Sequence, residues 1–260
     1  MLLLIGTCRL KLAAGRLAEL ASRSRPIVGH VHYPEEIEQM LRWATGEIEL
    51  PLPLLPLIHV DIADGKFDSP SQVERLRSET RERLAQATTI VIEVSSFKRV
   101  PLREDGRTIW GNINAFATSV RQRKSSSSFF DPAVADRHAD RKPETSNEAD
   151  FVATLHRVLD RLSPRRLILV PHFQAVRSDT GLPIENRPLV RELVRSIAAA
   201  RGVEFFDQDR IGQRLGSATR VDSSHYAETG ERAMAACLNR LADGPADETE
   251  LDHLLDSLRP

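Results

Sequence analysis

Three side chains close to the two ends of the chain have the types and spacing that nucleophilic catalysis needs: Cys8, Asp222 and His225. Cys8 follows a short apolar run and opens a stretch of helical pattern, where free amides and the helix dipole would stabilise a thiolate or an oxyanion. Asp222 and His225 stand three residues apart, so the histidine could take the thiol proton while the aspartate fixes its tautomer. The pattern predicts a Cys-His-Asp triad, provided that the fold brings the two ends together.

Each of these residues also has an ordinary structural interpretation. Cys8 could be a small core residue, because free cysteine is among the most buried residue types. Asp222 could cap a helix or form a turn, and His225 could be a surface residue at a helix start. Thr7 is an alternative nucleophile in a less favourable position, whereas Cys237 falls at core spacing in a predicted helix and is interpreted as packing.

The composition limits the class of protein. Lys and Arg number 36 against 37 Asp and Glu in 260 residues, so no excess of positive charge exists to bind a nucleic-acid backbone. Two cysteines exclude a disulfide framework and a thiolate zinc site, and they fit a reducing compartment. The apolar start lacks the basic residues of a signal peptide, and prolines interrupt the apolar stretch at 48–60, which predicts a soluble, cytoplasmic protein without membrane contact.

Strand-like and helix-like patterns alternate along the chain. Buried strands are predicted at 2–5, 57–62, 89–94, 167–170 and 203–206, with a shorter extended piece at 27–31. Helices are predicted at 10–21, 34–45, 70–87, 149–162, 186–201, 227–242 and 248–258. The alternation predicts an α/β fold with about five parallel strands and helices on both faces, as one domain at 1–243 followed by an acidic tail at 244–260.

Residues 98–150 interrupt this alternation with a polar stretch that contains a run of four serines. A stretch of this kind inside a compact domain is typical of a lid, a binding insertion or disorder. We therefore expect an insertion that covers a small-molecule site.

The carboxyl ends of parallel strands form the ligand-binding edge of such a sheet. The residues that follow predicted strands at this edge, besides the three named above, are Thr7, Arg9, Gly65, Ser95, Ser96, His172 and Gln174. We expect these residues to bind substrate or to stabilise an oxyanion, with Arg9 attracting an anionic substrate.

The order of two motifs along the chain resembles that of a known family. Gly6-Thr7-Cys8-Arg9 follows the first predicted strand, and Asp222-Ser223-Ser224-His225 precedes the last long helix. This arrangement resembles the SGNH (GDSL-type) hydrolase superfamily, in which Gly-Asp-Ser supplies the nucleophile and Asp-x-x-His the other catalytic residues. A cysteine at the serine position is similar to the GSCFA branch and to capsular-polysaccharide-biosynthesis proteins, and the segments 33–41 and 167–171 also resemble the GSCFA branch. The resemblance implies a flavodoxin-like three-layer α/β/α sandwich.

The sequence departs from this family at the residues that complete the oxyanion hole. Gly65 is the candidate for the glycine of the second motif, but the third motif lacks its asparagine and offers Ser95 and Ser96 instead. Asn112 or Asn114 could supply the donor from the polar stretch. Loss of one such donor typically lowers the rate by about 100–1000-fold.

The residues and the resemblance together predict an acyl-group enzyme, either an esterase or an O-acyltransferase acting on a sugar or natural product. His225 would act first as base and then as acid. No glycine-rich nucleotide loop is present, so no nucleotide cofactor is implied, and acyl-CoA is a candidate donor. The expected partner is a small-molecule acyl substrate. The sequence leaves open whether the protein forms a homo-oligomer.

Two other functions stay open at this point. The chain could be a non-catalytic binding or scaffold protein that keeps the fold. It could also be a metal-dependent hydrolase that uses His30, His32 and His172 with nearby aspartates.

Overall fold

The computed structural model describes residues 1–27, 30–176, 180, 183–184 and 186–259. The chain forms two compact units that alternate along the sequence. The first unit contains Met1–Pro26, Ala87–Ser95 and Ser163–Pro260, and the second contains Ile27–Gln86 and Ser96–Leu162.

The strands and helices have the following bounds. The strands are β1 (Leu2–Ile5), β2 (Ser24–Pro26), β3 (Thr89–Val94), β4 (Lys98–Glu104), β5 (Arg107–Gly111), β6 (Glu144–Thr145), β7 (Arg166–Pro171) and β8 (Glu204–Phe205). The helices are α1 (Cys8–Ala14), α2 (Ala18–Arg23), α3 (Pro34–Thr45), α4 (Leu55–Ile58), α5 (Val60–Ala63), α6 (Pro70–Gln86), α7 (Ile113–Phe116), α8 (Pro132–Arg137), α9 (Glu148–Leu162), α10 (Arg187–Arg201), α11 (Asp209–Leu215), α12 (Glu228–Asp243) and α13 (Glu248–Ser257).

The first unit is built on a five-stranded parallel sheet. Its strand order is β2-β1-β3-β7-β8, and every neighbouring pair is parallel. Counted within the sheet, this is the flavodoxin-like order 2-1-3-4-5. Both β1 and β3 are buried along their whole length, as expected for strands covered on both faces. The predicted α/β fold class is therefore confirmed.

Helices cover the sheet of the first unit. Apolar residues of α1, α12 and α13 pack with alternate residues of β1, β3 and β7 in one core cluster. Cys237 lies in this cluster with no exposed surface, which confirms its interpretation as a packing residue. Helix α10 contacts β7 and β8 through buried residues that do not belong to that cluster. The predicted C-terminal helix is also confirmed, since α13 occupies most of 248–258.

The second unit contains an antiparallel sheet and a group of packed helices. The sheet has the order β5-β4-β6, and Asp105 and Gly106 make the tight β4–β5 turn with positive φ at both positions. Helices α6 and α9 contact α3. The polar stretch 98–150 thus forms β4, β5, β6, α7 and α8, and it buries its apolar residues with those of 54–57.

Three sequence-based assignments are wrong or only partly correct. The predicted strand at 57–62 is helical, being divided between α4 and α5. Leu57 and Ile62 are fully buried there, and a short apolar run does not distinguish a buried strand from a buried helix. The predicted helix at 10–21 divides at Gly15 into α1 and α2. The strand predicted near 27–31 lies at Ser24–Pro26, and residues 28 and 29 fall outside the described residues.

No helix in the described ranges combines the length and apolar character needed to cross a membrane.

Candidate active site

A buried glutamate organises the turn that follows β1. Glu93 is fully buried at the end of β3. One of its oxygens, Oε2, accepts hydrogen bonds from the Thr7 amide at 2.9 Å and from the Thr7 hydroxyl at 2.6 Å. The other oxygen, Oε1, accepts from Arg9 Nε at 2.6 Å. Burial alone would raise the pKa of Glu93, but the Arg9 charge and the Thr7 hydrogen bonds outweigh it, so the pKa is lowered. Glu93 is therefore an anion that holds both chain neighbours of Cys8.

Gly6 allows β1 and β3 to come this close. A Cβ at position 6 would lie 2.6 Å from the Cβ of Glu93 and 2.9 Å from a methyl of Leu10. Real Cβ atoms do not tolerate such distances. The glycine of the first motif is thus needed for the approach of the Glu93 carboxylate to the turn.

Cys8 is the first residue of α1 and is half-buried. Burial raises the pKa of its thiol, and Glu93 adds to this rise, while the Arg9 charge and the amides of Cys8 and Arg9 oppose it without cancelling it. The prediction that the helix start favours a thiolate is therefore not supported by the electrostatics of the free protein. The raised pKa favours the protonated thiol of Cys8.

Asp222 and His225 form a hydrogen-bonded pair on an exposed loop before α12. His225 Nδ1 lies 3.0 and 2.9 Å from the two carboxylate oxygens of Asp222. Asp222 Oδ1 also accepts from the amides of Ser224 at 2.6 Å and His225 at 2.8 Å. The hydrogen bond from His225, with help from the Ser224 amide, lowers the pKa of Asp222. The aspartate thus holds the imidazole in one orientation and leaves Nε2 directed elsewhere.

One direct hydrogen bond joins the Cys8 turn to this loop. Arg9 Nη1 donates to the carbonyl oxygen of Ser224 at 2.8 Å. Arg9 and Ser224 are the chain neighbours of Cys8 and His225, so the two ends of the chain meet at the candidate site. No hydrogen bond joins Cys8 Sγ to His225 in the described part of the chain.

A second buried arginine contacts the same loop. Arg187, the first residue of α10, donates to the carbonyl of Ser223 at 2.5 Å and to the hydroxyl of Ser224 at 3.3 Å. Burial, together with the charges of Arg9 and Arg220, lowers the pKa of Arg187 to about 10, while the charges of Asp209 and Asp222 oppose this shift. No ion pair to a carboxylate compensates Arg187 within the described residues.

Phe173 provides a surface on which these arginines stack. The guanidinium carbons of Arg9, Arg187 and Arg220 lie 5.7, 5.8 and 4.3 Å from its ring centroid. Such cation–π distances are favourable for a guanidinium over an aromatic face. Phe173 itself is fully buried.

The remaining first-unit residues predicted for the site have structural partners. The Thr7 hydroxyl donates to Glu93 and is thereby engaged, which argues against Thr7 as nucleophile. His172 is buried, and its Nδ1 lies 2.8 Å from the Phe173 carbonyl. Gln174 donates its amide to Asp209 at 2.7 Å. Ser95 directly follows β3 at the same sheet edge as the Cys8 turn.

Three of the predicted oxyanion donors belong to the second unit. Gly65 lies in a turn after α5 with φ of +74° and does not follow a strand, because 57–62 is helical. The Ser96 amide donates to the His32 carbonyl at 2.9 Å. Asn112 is fully buried, caps α7 and donates to Glu36 Oε1 at 2.5 Å. Their role as oxyanion donors stays a prediction.

The residues predicted for a metal site are divided between the units. His30 and His32 lie in the second unit and His172 in the first. Across the described ranges, no three His, Cys, Asp or Glu side chains are grouped so that they could hold a metal ion. A cleft of about 540 Å³ lies within the second unit, and none of its lining residues belongs to the candidate site.

The sequence reasoning missed two of the residues that organise the site. Glu93 carried a signal, because it is the one charged residue in the apolar, β-branched strand 89–94. A charge within a fully buried strand needs a partner, which could have been sought at the neighbouring turn. Arg187 carried no comparable signal, because it opens a helix that contains several other arginines.

Comparisons with known proteins give one family match and several remote structural ones. The family model described as the TviD N-terminal domain matches residues 1–151, which include Cys8 and Glu93 but not Asp222 or His225. Among curated proteins, none matches the chain.

The structural matches include esterases. An acetylxylan esterase of Geobacillus stearothermophilus, solved as a catalytic mutant, is 13% identical with a TM-score of 0.39, over 93% of this chain and 92% of that one. An aryl esterase of M. smegmatis is 11% identical with a TM-score of 0.37, over 93% and 97%. A peptidoglycan O-acetylesterase is 13% identical with a TM-score of 0.36, over 67% of this chain, which spans only 43% of that protein. At these sequence identities and TM-scores, the chemistry of this chain has to be inferred from its own residues.

Proposed function

The chain belongs to the family of the TviD N-terminal domain, and we propose that it is an acyl-group enzyme with Cys8 as nucleophile and the Asp222–His225 pair as its base. The substrate is a small molecule such as a sugar or natural product that carries or receives an acyl group. The proposal covers an esterase and an O-acyltransferase, because both pass through the same acyl-enzyme.

The observation that supports the proposal best is the hydrogen bond from Arg9 to the Ser224 carbonyl. It joins the immediate chain neighbours of the candidate nucleophile and base, which are 215 residues apart in sequence. A nucleophile after the first strand and an oriented histidine on a nearby loop make up the arrangement that triad catalysis requires.

The electrostatics of Cys8 define how the reaction would run. Because the pKa of the thiol is raised, Cys8 has to lose its proton during attack rather than before it. In the first step Cys8 Sγ would bond to the acyl carbon while His225 Nε2 takes the thiol proton. Collapse of the tetrahedral intermediate breaks the bond to the leaving group, and His225 returns the proton to that group. The amide at the start of α1 is the donor available for the oxyanion.

The second step removes the acyl group from Cys8. His225 would deprotonate either water or an acceptor hydroxyl, whose oxygen attacks the thioester carbon. The carbon–sulfur bond breaks, and the proton returns to the thiol. With water the product is a carboxylic acid, and with an acceptor hydroxyl it is a new ester. Acyl-CoA is a candidate donor for the second outcome.

A second candidate function is a non-catalytic binding protein. The raised pKa of Cys8 and the missing hydrogen bond between Cys8 and His225 favour it, since neither is needed for binding alone. The two functions differ in whether Cys8 forms a covalent acyl adduct.

The deciding experiment is an intact-mass measurement with acyl donors. The protein is mixed with p-nitrophenyl acetate and with a panel of acyl esters and acyl-CoA thioesters, and adducts are located by peptide mapping. We expect acylation at Cys8, loss of the adduct in Cys8→Ala, and slower formation in His225→Ala. Cys237→Ala is the matched control, because that thiol is buried in the core and should leave acylation unchanged. An unmodified Cys8 with every donor would favour the binding protein.

A further inference from the structure

Two buried arginines hold the Asp222–His225 loop by its main chain. Arg9 donates to the Ser224 carbonyl at 2.8 Å, and Arg187 donates to the Ser223 carbonyl at 2.5 Å. These carbonyls belong to the residues between the aspartate and the histidine. Arg9 and Arg187 are only 5% and 9% exposed, so both donors act in a desolvated environment, where hydrogen bonds from charged groups are strong.

Arg187 is buried with no ion-pair partner among the described residues, and the Phe173 ring and the charges of Asp209 and Asp222 offset only part of the cost of burying its charge. A buried cation without a carboxylate partner is costly, and a well-packed apolar side chain would fill such a position at a smaller cost. Arg187 directs its donors at Ser223, at the Ser224 hydroxyl and, at 3.4 Å, at the Phe173 carbonyl. These hydrogen bonds therefore hold the loop in position.

Glu93 fixes the loop by two routes. Through Nε of Arg9, it sets the orientation of the guanidinium whose other nitrogen reaches Ser224. Through Gln208, whose amide donates to Glu93 Oε1 at 3.4 Å, it reaches the Tyr226 hydroxyl, which donates to Gln208 Oε1 at 2.9 Å. Tyr226 directly follows His225. The loop is thus anchored on both sides of the histidine.

We propose that Arg9 and Arg187 are positioning residues that place His225 beside Cys8 by holding the carbonyls of Ser224 and Ser223, with Glu93 fixing Arg9. Neither arginine touches the reacting atoms. The inference rests on the proposed function, because it assigns these residues to the reaction of Cys8 and His225. Small misplacements of a catalytic group lower rates strongly, so the loss of one arginine should be measurable in the acylation step.

The test is a double-mutant cycle between Arg187 and His225. The single-turnover rate of Cys8 acylation by p-nitrophenyl acetate is measured for Arg187→Met, His225→Ala and the double variant. If Arg187 acts through His225, Arg187→Met slows acylation by about ten-fold in the native background and by less than about two-fold when His225 is absent. A general loosening of the structure would slow both backgrounds equally, and that result would overturn the proposal.

Arg191→Met is the matched control. Arg191 lies one turn further along α10 and pairs with Asp207 and, at 3.7 Å, with Asp209, and among the described residues it makes no hydrogen bond to the loop. The Arg191→Met substitution should leave the acylation rate within about two-fold of the native rate. An effect as large as that of Arg187→Met would also overturn the proposal. If Arg187→Met does not fold, Arg187→Lys replaces it in the same cycle, because lysine keeps the charge but loses the forked geometry.

The Arg9–Glu93 pair gives a second test. Removing one partner leaves an unpaired buried charge, so stability and positioning would change together. The double variant Arg9→Met/Glu93→Gln removes both charges, and we expect it to regain thermal stability relative to Glu93→Gln while acylation stays about ten-fold slow. Native acylation in this double variant would contradict the role of Arg9.

The cycle also separates the two proposals. If His225→Ala alone leaves acylation unchanged, the proposed function fails, and the positioning role fails with it. If His225→Ala slows acylation but Arg187→Met slows it by the same factor with and without His225, the two substitutions act independently. The proposed function then stands, and only the positioning role is wrong.

Discussion

Glu93 and Arg9 form an ion pair at 2.6 Å with both side chains almost completely buried. Pairs of this kind depend on each other, since removal of one partner leaves an uncompensated charge in a low-dielectric environment. In this molecule the pair also connects β3 to the turn that carries Cys8. Stability and the candidate chemistry are therefore linked at one carboxylate.

The first prediction concerns the acid stability of this pair. The pKa of Glu93 is lowered in the folded protein, so its contribution is fully present above the ordinary glutamate value of 4.5 and is lost as the pH falls through the lower folded value. At neutral pH, Glu93→Gln should lower the free energy of unfolding by about 3–5 kcal/mol. The difference from the native protein should shrink below pH 4.5, as measured by urea unfolding. A difference that is independent of pH would contradict the buried, charged state of Glu93.

The second prediction concerns the close approach at Gly6. Gly6→Ala places a Cβ 2.6 Å from that of Glu93, so we expect a loss of about 1–3 kcal/mol in unfolding free energy and slower Cys8 acylation. Gly15→Ala, near the other end of α1, is the control, because its Cβ would meet only the Leu12 carbonyl at 3.5 Å. Equal stability of the two variants in thermal unfolding would show that β1 and β3 can separate at this point without cost.

The third prediction concerns the titration of the Cys8 thiol. Because burial raises its pKa, the rate of alkylation by iodoacetamide should rise with pH to a midpoint above the ordinary value of 9.0. Cys237, whose pKa is raised to about 12 by burial, should stay unmodified over the same range in the folded protein. Alkylation is followed by peptide mass. A midpoint near neutral pH would mean that Cys8 is a preformed thiolate and that no base is needed for its attack.

The fourth prediction concerns the orientation of His225. Asp222→Asn keeps the shape of the side chain but removes the negative charge that orients the imidazole, so Cys8 acylation should slow by about 100–10,000-fold. Stability should change little, since both residues are about half exposed. Asp243→Asn, which removes the charge of another aspartate paired at 2.6 Å with Arg23, serves as the control in the same assay. If Asp222→Asn and Asp243→Asn both change the acylation rate only slightly, Asp222 has no role in the proposed reaction.

The main sheet could be predicted from the sequence because its strands are continuous apolar runs. β1 and β3 have the predicted bounds, since both are buried on two faces and are closed by residues that end the run. The same rule fails at 57–62, where Pro56 enters the first turn of α4 and the apolar run is buried in a helical setting. The periodicity of a short apolar run does not show whether the run is buried as a strand or as a helix.

The candidate site could be predicted only in part, for a related reason. Cys8, Asp222 and His225 were found because their types and their places relative to strands and helices are local properties. The contacts of Arg9 with Ser224 and of Arg187 with Ser223 join residues that are 215 and 36 positions apart. Nothing local in the sequence marks one arginine among many as the partner of a main-chain carbonyl.

The alternation of the two units along the sequence has a consequence for folding. The turn that carries Cys8 precedes the whole second unit in the sequence, whereas Ser224, whose carbonyl accepts from Arg9, follows it. Contacts of such long sequence separation form late in folding, because the intervening chain has to be ordered or closed into a loop first. Glu93 can hold Thr7 and Arg9 before this, but the hydrogen bond from Arg9 to Ser224, which connects the two halves of the candidate site, forms only after the chain between these residues has been ordered.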